Sequence, residues 1–285
     1  VTALLVTIAF LVGGVGAWAA WRYHLIAQLV ERLTREVRAY RRRTGTHTRY
    51  PVVLAHGFMG FDAIDLGDAR HEYFRGVAGH LRRLGSQVHT GSVPAIGSIA
   101  ERAEHLARAV RSIEAPRVNI IAHSMGGLDA RYAITRLGLG KKVASLTTIG
   151  TPHHGTPLAD ASNRLVGGLL TRLGVEMTAV GDLTTEKMRL FNDEVANVPG
   201  VAYGCVLASV RGGVRGLNTL LVPTYLFLND RSGPNDGVVP TQSQRWGEVL
   251  LEVDADHWAQ IGWSKSFDAL DLYRSLLLEL RSRGF

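Results

Sequence analysis

Ser124 stands in the pentapeptide Ala122-His-Ser-Met-Gly126, with a small residue two places before it and another two places after it. A serine hydroxyl is a weak nucleophile until a base takes its proton, and the base in turn needs an acid to fix its tautomer and stabilise its cation. Both types occur further along the chain. Asp236 lies in Asn235-Asp-Gly-Val-Val-Pro240, and His257 lies in Asp254-Ala-Asp-His-Trp258. A serine, a carboxylate and an imidazole together can run acyl transfer at a carbonyl. Such chemistry also needs donors for the developing oxyanion, and losing one donor costs about 100- to 1,000-fold in rate. The N–H of Met125, directly after the serine, is one candidate. The N–H of Phe58, in His56-Gly-Phe-Met-Gly-Phe-Asp62, is the other. His56, Gly57 and His123 flank these groups and are candidate substrate contacts.

Each residue also has a plain structural reading. A serine after a buried strand can simply cap a helix, and His56-Gly57 can be an ordinary strand-end turn. The chain has eleven histidines, and His153 and His154 are expected to line or support the site rather than react. Asp230, Asp254 and Asp256 compete with Asp236. Asp256 adjoins His257, and adjacent side chains rarely meet in the required geometry. Asp230 is the stronger rival, but the turn around Asp236 is the tighter one.

The elements that must position these residues follow from periodicity. Val118 to Ala122 is a short apolar run, and a helical pattern starts at once after Ser124. Leu128, Tyr132 and Ile134 lie on one side of it, with Asp129 and Arg131 off that side. Strand, sharp turn and helix require small neighbours at the turn, and the helix start aims N–H groups at the reacting oxygen. Strands are also expected at Tyr50–Ala55, Ser86–Thr90, Val143–Ile149, Val222–Leu228 and Glu248–Val253. Helices fall around Phe74–Leu84, Ile99–Ile113 and Ser264–Arg281. This alternation gives an α/β domain with a doubly wound, mostly parallel sheet. Ser124, Asp236 and His257 then all follow strands, at the carboxyl ends where such sheets place their sites. Residues 157–221 break the rhythm and read as a helical cap or lid insertion, with a plain helical insertion as the alternative.

These pieces resemble the bacterial triacylglycerol lipases, the true-lipase branch of the α/β-hydrolases. The similarity rests on Pro51 to Asp62, Val118 to Gly127, Ile149 to Thr156, Asn235 to Val239 and His257, with a weaker likeness at Leu183 to Glu186 and Phe191-Asn192. In that superfamily Gly-x-Ser-x-Gly forms the nucleophile elbow, and the triad runs Ser, acid, His along the chain. Here Ala122 replaces the first glycine. The resemblance implies Ser124 as nucleophile, His257 as base, Asp236 as acid, Phe58 and Met125 as oxyanion donors, and an acyl-ester substrate. Many relatives bind calcium through an acid two residues after the histidine and a glutamine six after it. Ala259 and Trp263 occupy those places, so no metal site of that kind and no cofactor are expected; Asp160 and Asp256 leave an alternative open. An acyltransferase on the same acyl-enzyme, a short-chain esterase and a non-catalytic adaptor are the competing functions. A complete Ser-Asp-His set argues against the adaptor.

Residues 1–21 carry no charged side chain and at 1.5 Å per residue span about 30 Å as a helix, the depth of a bilayer core. Trp18, Trp21 and Tyr23 form an interfacial cluster. A transmembrane helix is the expectation, with a signal peptide cleaved near Ala17-Trp-Ala19 and a core helix as alternatives. Residues 22–43 hold seven arginines against two glutamates, a net +5 of the chain's +7. The positive-inside rule then places the catalytic domain in the cytoplasm, with a secreted or periplasmic enzyme as the alternative. Residues 22–49 are expected to form a basic amphipathic helix and linker, and residues 50–285 the α/β-hydrolase domain. The helix suits an anionic lipid surface or packs on the domain. The basic charge is confined to this segment and no recognition motif accompanies it, so no nucleic-acid partner is expected. Cys205 is the only cysteine, so no intrachain disulfide can form. Oligomeric state is not legible.

Overall fold

The computed structural model describes residues 22–33, 47–58, 63–66, 69–91, 93–162, 178–264 and 267–285. The chain divides into two compact units, 1–45 and 46–285. In the first, residues 22–33 are helical, with Tyr23, Ile26, Leu29, Val30 and Leu33 exposed. The proposed span at 1–21 lies outside the described residues, as does most of the linker. Among the described residues no helix is long and apolar enough to cross a membrane. The second unit begins slightly before the expected Tyr50, because the Arg49 N–H donates to the Phe285 carbonyl at 2.6 Å.

Eight strands are described in the second unit: β1 (Val52–Ala55), β2 (Ala63–Leu66), β3 (Ala69–Glu72), β4 (Val88–Gly91), β5 (Val118–His123), β6 (Val143–Ile149), β7 (Ala202–Ser209) and β8 (Glu248–Asp254). Six form one sheet in the order β4-β1-β5-β6-β7-β8, and every neighbouring pair is parallel. β2 and β3 make a separate antiparallel hairpin. Period-2 alternation divides the core between the two faces. Val52, Leu54 and Ile121 pack on one side with Val77 and Leu81 of the helix Val77–Arg83 and with Tyr273, Leu276 and Leu277 of the helix Ala269–Ser282. Val53, Ala55 and Ile120 pack on the other with Ala103, Leu106 and Val110 of the helix Ile99–Arg111 and with Ala130 and Ala133 of the helix Gly126–Arg136. Helices on both faces explain why β1, β5 and β6 are buried along their whole length.

From β1 the chain moves outward to β4, then returns to the opposite side of β1 with β5. The winding therefore reverses between β1 and β5, and the crevice at their carboxyl ends is where an open α/β sheet presents a site. Ala55 pairs with Ala122, so His56-Gly57-Phe58 and His123-Ser124-Met125 leave the sheet side by side.

Two expectations are corrected. Val222–Leu228 is not a strand: Val222–Ser232 is a helix with proline in its first turn. Tyr225 and Leu228, three apart, are buried while Leu226 is exposed. A short apolar run does not distinguish strand from helix, and Pro223 tips it. β7 lies inside the stretch assigned to the cap, so 157–221 is not one continuous insertion. Gly204 and a run of small residues hid this strand; a Cβ on Gly204 would meet Leu250 at 2.8 Å. The apolar cover expected at Leu165, Leu169, Leu170, Leu173, Val175 and Met177 lies outside the described residues. Asp129 and Arg131, off the Leu128 side of the elbow helix, are buried as well.

Candidate active site

Ser124 has φ 55, and it is the only non-glycine residue with positive φ among the described residues. This left-handed conformation is costly for a residue with a Cβ. The surroundings enforce it. Its N–H donates to the Ile149 carbonyl at 2.9 Å, and its own carbonyl accepts from Gly127 N–H at 3.0 Å and Thr151 Oγ1 at 2.7 Å. Gly126 must lack a side chain, because a Cβ would sit 2.7 Å from the carbonyl oxygens of both Ala55 and His56.

The turn presents Ser124 Oγ to His257 Nε2 at 3.0 Å, and His257 Nδ1 lies 2.8 Å from Asp236 Oδ2. All three residues thus meet across three strands. Asp236 arrives by a longer route than its sequence neighbours suggest. The chain leaves β7, forms the helix Val222–Ser232 and returns, where Val210 N–H donates to the Asn235 carbonyl at 3.0 Å. The carboxylate is fully buried and receives four hydrogen bonds. Oδ1 accepts from the N–H groups of Val238 at 3.0 Å and Val239 at 2.7 Å; Oδ2 accepts from His257 and from Gln260 Nε2 at 2.9 Å. The His257 N–H donates to the Asp236 carbonyl at 2.8 Å, so backbone and side chain hold the pair together. The rival acids have other work. Asp256 caps the turn at Trp258 and Ala259, Asp254 accepts from Arg211 N–H, and Asp230 is exposed beside Arg231.

Phe58 and Met125 share an apolar cluster with Ile99, Leu128 and Met188. Gly57 brings the first loop against Ser124: a Cβ there would meet Ser124 Cβ at 2.7 Å. His56 and His123 were expected to contact substrate; both are buried, with ring nitrogens turned to the protein. His56 Nδ1 donates to the Gly57 carbonyl at 3.1 Å and Nε2 accepts from Val93 N–H at 3.4 Å. Arg102 braces this loop, donating Nη2 to the His56 carbonyl at 2.8 Å and Nε to Asp129 Oδ2 at 2.9 Å, and also bonding the Pro94 carbonyl.

His153 is buried and His154 exposed. Burial pushes the His153 imidazole well below its ordinary pKa, and it bonds Thr148 Oγ1 at 3.0 Å and Arg131 at 3.3 Å. Arg131 lies 3.4 Å over the Trp246 ring and holds Asn192 Oδ1 and the Val195 carbonyl, each at 2.8 Å. It therefore fastens the helix Thr185–Glu194 to the elbow helix. Burial lowers its pKa to about 9.

Sequence reasoning missed Gly150 and Gln260. Gly150 has φ 56, and a Cβ there would lie 2.4 Å from Gln260 Oε1, 3.1 Å from Asp236 Oδ2 and 3.2 Å from His257 Nδ1. Its place directly after β6 was the available signal. Gly150→Ala is expected to lower kcat about 100-fold or more by displacing the acid–imidazole pair. Steady-state kinetics beside thermal unfolding checks this; unchanged kcat would show that the pair tolerates the shift.

Comparison with known proteins agrees with this architecture. A model of the PGAP1-like alpha/beta domain matches residues 91–201. Triacylglycerol lipase 2 of Saccharomyces cerevisiae is 34% identical over 272 residues, covering 81% of this chain and 82% of the relative. A triacylglycerol lipase of Vibrio cholerae is 32% identical over 251 residues, covering 73% and 77%. Among solved structures, the mature lipase of Bacillus licheniformis superposes with a TM-score of 0.66 at 25% identity, covering 80% of this chain and 91% of that one. The sheet and its elbow are those of the α/β-hydrolases. Within that superfamily the chain belongs to the lipase family, and it is a carboxylic ester hydrolase.

Proposed function

We propose that this chain cleaves acyl esters, acylglycerols foremost, through an acyl-enzyme on Ser124. The observation that carries the reading is the unbroken line from Ser124 Oγ through His257 to Asp236, with the serine held at φ 55. His257 Nε2 takes the Ser124 proton as Oγ bonds to the carbonyl carbon. The oxyanion is met by the N–H groups of Phe58 and Met125. On collapse the ester C–O bond breaks and His257 passes its proton to the leaving alcohol. Water then attacks the acyl-enzyme, giving its proton to His257, which returns it to Ser124 as the acid departs. Asp236 holds the His257 tautomer and stabilises the imidazolium. The acylglycerol preference is supported by the names of the yeast and Vibrio relatives.

The test is labelling of one sample with a p-nitrophenyl phosphonate and, on unlabelled enzyme, hydrolysis of p-nitrophenyl esters from acetate to palmitate. The expected result is one phosphonyl group on Ser124 and turnover that extends to palmitate. Turnover confined to short chains would make it an esterase, and a label on another residue would overturn the site. The apolar run at 1–21 and the arginines after it further support a membrane-anchored enzyme with a cytoplasmic catalytic unit. Protease protection of the full chain in sealed vesicles of known orientation tests that placement.

A further inference from the structure

His123 ends β5 directly before Ser124 and is fully buried. Its Nε2 lies 3.1 Å from the backbone carbonyl of His257, and its Nδ1 lies 2.8 Å from the Tyr73 hydroxyl. A carbonyl only accepts, so Nε2 carries the proton; Nδ1 then accepts from Tyr73. The two partners select one neutral tautomer. The His123 and His257 rings are 4.5 Å apart between centroids. We propose that His123 is a positioning residue for the catalytic imidazole, a neutral bridge that ties the nucleophile's strand to the backbone of His257 and is itself held by Tyr73. This rests on the roles given above to Ser124, His257 and Asp236.

The bridge closes a frame. The His257 N–H is fixed by the Asp236 carbonyl, and its carbonyl by His123, so the peptide units on both sides of the imidazole are anchored. Tyr73 follows the hairpin strand β3 and is anchored in turn: Trp263 Nε1 donates to its carbonyl at 2.9 Å, and Arg75 N–H donates to the Ile261 carbonyl at 2.9 Å. A hairpin outside the sheet thus reaches the base through one hydroxyl and one ring. Neutrality matters because His257 becomes cationic in each half-reaction, and a charged neighbour would oppose it. Burial, the larger cause, and the nearby His257 both push the His123 pKa well down. Burial also keeps the Tyr73 hydroxyl protonated and able to donate.

Three variants test the bridge with p-nitrophenyl butyrate and with the rate of Ser124 phosphonylation. His123→Leu fills the space but leaves the His257 carbonyl without its donor; kcat is expected to fall roughly 30- to 300-fold with KM within about threefold. His123→Gln places an amide N–H where Nε2 stood and is expected to recover about tenfold. Tyr73→Phe is expected to cost about 3- to 10-fold alone, part of it through the Gly57 N–H that its hydroxyl also receives, and clearly less when added to His123→Leu, because the rest of the path is shared. Equal losses in the Leu and Gln variants, or Tyr73→Phe kinetics matching the wild type, would overturn the bridge. Tyr73→Phe and His123→Gln keep the test open if His123→Leu does not fold. Ser124→Ala run alongside separates the two readings. Hydrolysis surviving in Ser124→Ala overturns the catalytic assignment and the bridge with it. An inert Ser124→Ala beside a fully active His123→Leu overturns the bridge alone.

Discussion

Ser124→Ala is expected to lower kcat for p-nitrophenyl esters by about 10⁵- to 10⁶-fold, with the protein still folded. Among the described residues Ser124 Oγ makes no bond beyond the 3.0 Å contact to His257 Nε2, and the turn is held through backbone groups of Ser124 that alanine retains. His257→Ala should be about as severe, since the two act as a unit. Asp236→Asn should cost less, about 10⁴-fold. There the side-chain oxygen can still accept from Val238 and Val239, which turns the amide N–H₂ toward His257 Nδ1. The imidazole must then adopt the wrong tautomer and presents a proton to Ser124. Measured pre-steady-state and steady-state rates in that order would support the roles; an Asp236→Asn enzyme as fast as wild type would remove Asp236 from the mechanism.

The largest stability effect is expected at Arg102. Its side chain and that of Asp129 are 0% and 1% exposed and 2.8 Å apart. Arg102→Met should cost about 3–5 kcal/mol at about pH 8, because it leaves the buried Asp129 without its cation and forces it to fold as the neutral acid. The loss has a pH signature. Burial already pushes the Asp129 carboxyl up to about 7 against the attraction of Arg102. Without the guanidinium it rises further. A carboxyl with a raised native pKa binds more protons folded than unfolded. Wild type and variant both lose stability as pH climbs from about 4, the unfolded value, but the wild type levels off above about 7 while the variant goes on losing it, so the penalty grows above neutral pH. Urea unfolding should show a smaller penalty at pH 5 than at pH 8. A penalty independent of pH would mean that Asp129 is not the source. The His56 carbonyl also loses its donor, so activity at pH 5 should fall even where the fold persists.

Local signals made much of the site legible. Ala122-His-Ser-Met-Gly126 encodes its own geometry, since the small residues and the following helix are all within reach of the serine. β1, β5 and β6 were readable because buried parallel strands are short apolar runs between turns, and the half-exposed edge strand β8 was readable from its apolar Val249-Leu-Leu251. What escaped was set by distant partners. Gly204 makes β7 look like loop until Leu250 is seen against it. Val222–Ser232 looks like strand until its neighbours bury only Tyr225 and Leu228. The burial of Asp129 and Arg131 was not legible, because nothing nearby in the chain announces Arg102, Trp246 or Asn192 as their partners. Gly150 and Gln260 belong to the site only through Asp236 and His257, which no spacing rule connects to them.

A ribosome delivers this sheet in a telling sequence. Once β5 has joined β1, each later strand adds to the same growing edge, β6 then β7 then β8. Ser124 can thus be folded into its turn early, while His257 is still unmade. The 133 positions separating Ser124 from His257 take roughly 7–27 s to synthesise at about 5–20 residues per second. During that interval Ser124 has no imidazole partner, and on the roles proposed above hydrolysis begins only once the final edge strand has docked and brought His257 to it.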